Sequence, residues 1–175
     1  GSFENYVNFD AQNSLLSLGK TDIFIAQYDS NGTVQWLNKA GGTDDDAGTS
    51  LAADLQGNFY LTGYFRNTAT FYKKTFSSAG GSDIFITKYN SLGYQLYVQT
   101  GGGPGDDYPA ALTVDAAHNI YLSGTFDTQA EFDGRELSGQ AKDACLAQYA
   151  GNGAIKWVLK IGGEGDEDAT RASVD

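Results

Sequence analysis

Three glycine-rich segments of the chain carry clusters of carboxylates. They read GGTDDDAG from Gly41, GGPGDDYP from Gly102 and GGEGDEDA from Gly162, and we call them the acidic loops. Clustered carboxylates on a glycine-rich turn offer the hard oxygen ligands that Ca²⁺ prefers. Calcium is therefore a candidate ligand of these loops, and the side chains that would bind it are Asp45, Asp46, Asp106, Asp107 and Asp166.

The spacing of the acidic loops favours a simpler interpretation. The second loop fits the G-G-x-G-x-D start of the calcium-binding nonapeptide repeat, with Asp107 as its aspartate. Nonapeptide sites stack tandem turns, whereas these loops lie about 60 residues apart. Each loop would have to find most of the roughly six to eight calcium ligands elsewhere. We therefore expect solvated turns whose aspartates cap backbone N–H groups, and we assign no metal site.

Few other residues have the types that catalysis requires. His118 is the single histidine and Cys145 the single cysteine. A Ser/His/Asp set, a Cys/His zinc pattern or a phosphate-cradling glycine loop cannot be assembled from these parts. A lone cysteine also excludes a disulfide within the chain. We therefore assign no catalytic and no cofactor-binding residue, and we expect no metal ligation by His118 alone.

One sequence pattern occurs three times along the chain. The segment DIFIAQYD from Asp22 returns as DIFITKYN from Asp83 and as DACLAQYA from Asp143, at offsets of 61 and 60 residues. Cys145 stands where the other copies have Phe24 and Phe85, so we expect it to be a small core residue. Such a repeat indicates that one structural unit is built three times.

Two further sets of residues keep the same register. The aromatic set could stack on sugar rings if exposed, but its recurrence at one point of a strand favours packing between neighbouring units. The acidic set is expected to form turns at strand ends. The aromatic set is Trp36, Tyr97 and Trp157, and the acidic set is Asp54, Asp115 and Asp175.

Each repeat has the pattern of several short β-strands. The strand that carries Ile84, Phe85 and Ile86 is apolar on both faces, which is typical of a strand between two other layers. A glycine turn, a second strand, the acidic loop, a small-residue strand and a fourth strand follow. The pair Asp133-Gly134 indicates a further short hairpin before the next repeat. No helical periodicity of useful length appears.

Four antiparallel strands that recur about every 60 residues are typical of a β-propeller. A β-helix would need a far shorter period, and a β-sandwich would not need three similar units. We predict an all-β fold of about three four-stranded blades in one segment, residues 1–175, with repeats at about 1–62, 63–123 and 124–175.

The repeat starts and stops within a blade, so we expect a piece of a larger ring. Flanking blades of the same chain, or further copies of it, would complete that ring. Gly1 and Ser2 fit the register of the repeat, although a cloning remnant would have the same two letters. We also expect a blade face such as the one with Ile84 and Ile86 to be exposed in an isolated monomer and to promote self-association.

The charge of the chain limits its partners. The formal net charge of -11 argues against nucleic acid, because affinity for nucleic acid comes largely from Lys and Arg that replace counterions. No run of about 18 apolar residues is present, so we expect no membrane insertion. The start GSFENYVNF lacks the basic and apolar regions of a signal peptide.

The repeated residues also resemble a known family. The pattern joins GG-x-x-x-D, Asn-x-Tyr-Leu-[Thr/Ser]-Gly, Gly-Ser-Asp-Ile-Phe and Gly-x-x-x-Trp, and it is similar to the bacterial seven-bladed β-propeller repeats called SBBP repeats. The resemblance covers essentially the whole chain. It implies an extracellular or cell-surface bacterial propeller without established catalytic residues. The third copy departs from the pattern at Ala144, Cys145 and Glu167.

Two functions of different classes are compatible with this sequence. The favoured one is a non-catalytic structural, adhesive or binding module that presents loops to a protein or glycan partner. The alternative is a propeller-type glycan lyase or hydrolase with carboxylates in a central channel, which requires paired acids about 5 to 9 Å apart. Alternating strand directions would bring the acidic loops and the hairpins to one face, where we expect any ligand to bind.

Overall fold

The chain folds into antiparallel β-strands. The computed structural model describes residues 1–174, and these residues contain eleven strands and no helix. The all-β prediction is confirmed. The strands are β1 (Ser2–Asn8), β2 (Ser14–Tyr28), β3 (Val34–Gly41), β4 (Ala47–Ala53), β5 (Phe59–Phe71), β6 (Lys74–Tyr89), β7 (Gln95–Gly102), β8 (Tyr108–Val114), β9 (Ile120–Phe132), β10 (Arg135–Tyr149) and β11 (Ile155–Ile161).

The strands pair into three units joined by short ladders. Unit I is β1–β2–β3, unit II is β4–β5–β6–β7 and unit III is β8–β9–β10–β11, all antiparallel. Two residue pairs, Ala40 with Phe71 and Gly41 with Thr70, connect unit I to unit II. The same geometry connects β7 to β9. Within residues 1–174 the sheet stays open, with β1 and β11 at its ends.

The repeat boundaries drawn from the sequence, at 62/63 and 123/124, fall inside β5 and β9. A sequence repeat has no intrinsic starting point, so its phase need not match the hydrogen-bonded units. In the structure the units meet at the acidic loops.

The hairpin expected around Asp133-Gly134 is the far end of two long strands rather than a separate appendage. β9 and β10 continue through it, and Phe132 pairs with Arg135 across the two-residue turn. Asp133 has φ 50° and Gly134 has φ 77°, the positive values that this tight turn requires. The length of these strands carries the hairpin back to the preceding unit.

Two hydrophobic cores fill the spaces between the units. Units I and II enclose one core that includes Ile23, Phe71 and Phe85, and units II and III enclose another that includes Ile84, Phe126 and Cys145. Neighbouring residues of β6 therefore point into different cores, as its apolar pattern on both faces predicted. Cys145 is buried, as expected.

The expectation that Ile84 and Ile86 would be exposed is wrong. Only 1% and 2% of their surfaces are accessible, because unit III covers this face of unit II. In the described chain, the faces that no neighbouring unit covers belong to units I and III.

The acidic set at the strand ends behaves as predicted where it is described. Asp54 accepts hydrogen bonds from the backbone N–H groups of Gln56 and Asn58, both at 2.9 Å, and Asp115 binds Asn119 in the same way. Asp175, the third member, lies outside the described residues. His118 occupies the positive-φ position of its turn, at φ 62°, where Gly57 has φ 79°. In the described chain no helix is long and apolar enough to cross a membrane.

Candidate functional site

The acidic loops and the hairpin turns lie at the same end of the units, which we call the loop end. The last residues of β3 pair with Thr70 and Phe71 beside one hairpin turn, and the last residues of β7 pair with Glu131 and Phe132 beside the next. The remaining turns meet at the opposite end, where a Cβ added at Gly151 would lie 3.0 Å from the carbonyl oxygen of His118. The expected grouping of loops is confirmed.

Each of the first two acidic loops is closed by one buried aspartate. Asp107 accepts the backbone N–H of Gly103 on Oδ2 at 2.6 Å and that of Asp127 on Oδ1 at 3.2 Å. Its own N–H donates to the carbonyl oxygen of Ser82 at 2.7 Å. Asp46 makes the equivalent bonds to Gly42, Arg66 and Thr21. The predicted capping is confirmed, but these two carboxylates are buried rather than solvated.

A second buried carboxylate lies beside each loop aspartate. In unit II it is Asp83, whose Oδ2 accepts the N–H of Ala79 at 3.0 Å. A Cβ added at Gly102 would lie 2.6 Å from Oδ1 of Asp83 and 2.9 Å from Oδ2 of Asp107. The two carboxylates thus converge on Gly102, a position that has no room for a side chain. We call such a set a carboxylate pair.

The carboxylate pair recurs in every repeat. Asp22 is the partner of Asp46, and Asp143 is the partner of Glu167, which accepts the N–H of Gly163 at 2.9 Å. The three strand aspartates also share an orphan atom: among the described residues, the buried Oδ1 atoms of Asp22, Asp83 and Asp143 have no hydrogen-bond partner. Sequence reasoning treated these aspartates only as markers of the repeat. A charged residue that precedes an apolar strand at fixed spacing was the available signal.

Burial raises the pKa of the acids in the first two carboxylate pairs. Burial, together with the negative charge of Asp83, raises the pKa of Asp107 to about 7, and burial raises that of Asp83 to about 6. Burial likewise raises the pKa of Asp46 to about 7. A proton held between the two carboxylates would give the orphan Oδ1 a partner and would remove the repulsion between like charges.

A lysine accompanies two of the three pairs. Lys39 Nζ lies 3.8 Å from Asp22, and Lys160 Nζ lies 3.4 Å from Asp143. Thr100 occupies the equivalent position in unit II, so the pair of Asp83 and Asp107 has no lysine from this strand.

The other acids proposed for calcium binding lie nearer the surface and have partners within the protein. Asp106 accepts from Arg66 Nη2 at 2.7 Å and from the N–H of Ser82 at 2.9 Å. Asp45 accepts from the Thr21 hydroxyl at 3.1 Å, and Asp166 accepts from the N–H of Lys142 at 3.2 Å. No group of three or more His, Cys, Asp or Glu side chains within residues 1–174 is arranged to hold a metal ion.

The loop end also contains a cavity of about 470 Å³. Its floor comes from the acidic loop at Gly102, Gly103 and Pro104, and its wall comes from the hairpin of β9 and β10. Glu131 and Glu136 are its charged residues.

Two members of the aromatic set, Trp36 and Tyr97, pack between units as predicted, whereas Trp157 meets Tyr121 of its own unit. The ring of Trp36 lies stacked with Tyr89 of unit II, with centroids 6.2 Å apart and an interplanar angle of 21°. Its indole N–H donates to the carbonyl oxygen of Ser91 at 3.2 Å. A Cβ added at Gly93 would lie 2.7 Å from the indole ring, so the turn of unit II covers the ring of unit I. Sugar stacking on Trp36 would have to displace this turn.

Comparisons with known proteins show limited similarity. No family model matches the chain. The chain is 27% identical over 145 residues to a curated protein described as "Regulatory protein FlaEY" from Caulobacter vibrioides. The match covers 79% of this chain and 15% of that protein, so the chain corresponds to a small part of the relative's length.

Proposed function

We propose that this chain is part of a β-propeller that acts as a non-catalytic binding module of a secreted or cell-surface bacterial protein. The module presents its loop end to a protein or glycan partner. The observation that carries the proposal is the stacking of units: both faces of unit II are buried against its neighbours, while the loops and a cavity gather at one end.

The packing between units supports a propeller. Blades of a propeller bury both faces and keep their innermost strands side by side. The small-residue strands β4 and β8 are neighbours here, since the N–H of Leu112 donates to the hydroxyl of Ser50 at 3.1 Å. The resemblance to SBBP repeats supports the same architecture and a location outside the cytoplasm.

The state of the acids supports a binding role rather than hydrolysis. A glycosidase needs two carboxylates that reach the substrate. In unit II both members of the carboxylate pair are buried, and the two oxygens of Asp107 accept the backbone N–H groups of Gly103 in the loop and of Asp127 in β9. The name of the Caulobacter relative, a regulatory protein, is compatible with a role in binding.

The negative charge at the loop end limits which class of partner can bind there. The residues that line the cavity in the described chain include Glu131 and Glu136 and no Lys or Arg. With a net charge of -11, the protein repels anionic glycans and favours a neutral glycan or a basic protein surface.

Arrays of neutral and anionic glycans, together with basic and acidic protein baits, test this proposal. We expect retention on neutral glycans or basic baits. Glu136→Lys places a positive charge at the cavity and should weaken retention on a basic bait at least tenfold. Gln56→Lys introduces a lysine at the opposite end, a change of one charge unit rather than two, and should leave retention unchanged. Equal losses in both variants, or no retention on any surface, would count against a binding loop end.

A further inference from the structure

The two junctions between units share one set of contacts, which we call the clasp. At the first junction, the Trp36 ring packs under Gly93, and Asn38 Nδ2 donates to the carbonyl oxygen of Gly93 at 2.9 Å. At the second junction, a Cβ added at Gly153 would lie 3.0 Å from the ring of Tyr97, and Gln99 Nε2 donates to the carbonyl oxygen of Gly153 at 3.1 Å. An aromatic ring of one unit thus holds the glycine turn of the next.

Unit I carries one half of a clasp, the glycine turn, and no aromatic ring of the described residues covers it. Gly32, the equivalent of Gly93 and Gly153, is exposed, and a Cβ added to it would meet nothing within 4 Å. Tyr28 shows the same difference: 44% of its surface is accessible, against 3% for Tyr89 and 4% for Tyr149. Tyr89 is the residue that stacks on Trp36.

Unit III carries the other half of a clasp, the aromatic ring that would pack under a glycine turn. Trp157 holds the position of Trp36 and Tyr97 on β11, where its ring meets Tyr121 of its own unit edge to face at 6.3 Å. Leu159 and Ile161 on the same strand are 53% and 55% exposed. Their equivalents in unit I are Asn38 and Ala40. This half of the clasp is therefore more apolar than either internal one.

We propose that a second copy of this chain docks head to tail on this surface. The turn of its unit I, with Gly32, covers Trp157 of the first copy, and its Tyr28 stacks on that indole as Tyr89 stacks on Trp36. The occupant is argued from the chain itself, because the same two surfaces already join twice within it. The contact is heterologous, so each copy uses both of its ends.

The differences at the third junction fit an intermolecular contact. Leu159 cannot donate the hydrogen bond that Asn38 and Gln99 give to the glycine carbonyl, so the contact depends on apolar burial. A cavity of about 420 Å³ lies between Leu146, Ile161 and residues 168–173 and leaves space for the docked copy on the outer face of unit III. This contact depends only on the stacking of units and is independent of ligand binding at the loop end.

Sedimentation velocity of the full 175-residue chain tests the contact. We expect species larger than a monomer that grow with concentration. Tyr28→Arg and Leu159→Glu each change an exposed residue at one end and should each weaken self-association at least tenfold. Leu96→Glu changes an equally exposed leucine on the outer strand of unit II and should leave association unchanged. Thermal melting of all three variants verifies that they fold.

Mixing the two end variants provides the sharper test. A head-to-tail contact leaves one intact junction between a Tyr28→Arg copy and a Leu159→Glu copy, so an equimolar mixture should form a dimer that neither variant forms alone. A monomeric wild type at high concentration, a mixture that stays monomeric, or equal loss in Leu96→Glu would overturn the proposal.

Discussion

Asp83 and Asp107 converge on Gly102, with Oδ1 of Asp83 buried and without a hydrogen-bond partner in the described chain. One member of this pair closes the acidic loop and the other precedes the central strand of unit II. Burial makes two ionised carboxylates at this position costly and raises the pKa of Asp83 to about 6 and that of Asp107 to about 7. The acidic loop is therefore joined to the central strand through two acids whose charge depends on pH near neutrality.

The two members of the pair should respond differently to the same substitution. Asn at position 83 can accept from Ala79 with its oxygen and donate to Asp107 with its amide, so Asp83→Asn should change the free energy of unfolding by less than about 1 kcal/mol at pH 7. Asp107→Asn turns an amide donor towards a backbone N–H and should cost about 2–4 kcal/mol. Urea unfolding measures both. Equal costs would contradict a shared proton.

The pairs should make stability depend on pH. In the folded state the pKa values of Asp83, Asp107 and Asp46 are raised to about 6, 7 and 7, so the folded protein binds more protons than the unfolded chain between about pH 4 and 7. The free energy of unfolding should fall as the pH rises through this window and level off above it.

Thr100→Lys gives unit II the lysine that accompanies the other pairs. It should reduce the fall in stability, because the ammonium stabilises the ionised pair at high pH. Asp83→Asn should reduce it as well. A wild-type protein whose stability rises steadily from pH 4 to 8 would show that the pairs are ionised throughout.

Calcium remains the alternative occupant of the acidic loops, and melting temperature distinguishes the two ideas. If a shared proton rather than calcium neutralises the pair, the melting temperature of each protein should be the same in millimolar Ca²⁺ and in chelator. This holds for the wild type and for Asp106→Ala. A ligand that binds only the folded state raises the melting temperature. A rise in calcium that disappears in Asp106→Ala or Asp83→Asn would establish a metal site.

The clasp can be measured with two glycines of matched backbone. Gly32 and Gly93 have φ of 78° and 79°, so alanine costs about 1–2 kcal/mol of backbone strain at either position. Gly93→Ala also forces a methyl group against the Trp36 ring and should cost a further 1–3 kcal/mol or so. Urea unfolding at a protein concentration where the chain is monomeric gives the difference. Equal losses would mean that the clasp adds no stability.

Much of the fold could be predicted from the sequence because it depends on local pattern. The continuous apolar run Ile84, Phe85 and Ile86 indicated a strand between two layers, and the Asp133-Gly134 turn was evident from its residue types. The continuation of β9 and β10 through that turn could not be predicted, since it depends on pairing with the preceding unit. The repeat register also gave no sign of which units cover each other, and for this reason Ile84 was wrongly expected to be exposed.

The candidate site was less predictable from the sequence. Asp107 was recognised as a loop residue, but Asp83 lies 24 positions earlier and comes near it only when the loop folds back on β6. Burial, which sets the charge of both, is a property of the packed units. The repeat shows that Thr100 stands where the other units have a lysine, but only the structure shows that this strand lies beside Asp83.

Turnover of polysaccharides tests most directly the claim that the protein binds without catalysis. Incubation of the protein with the glycans that it retains, at several pH values from about 4 to 8, should leave the number of reducing ends and of unsaturated products equal to that of a blank without protein. Release of reducing ends or unsaturated sugars that increases with time and with protein concentration, and that is lost when Asp107 is replaced, would contradict a non-catalytic module.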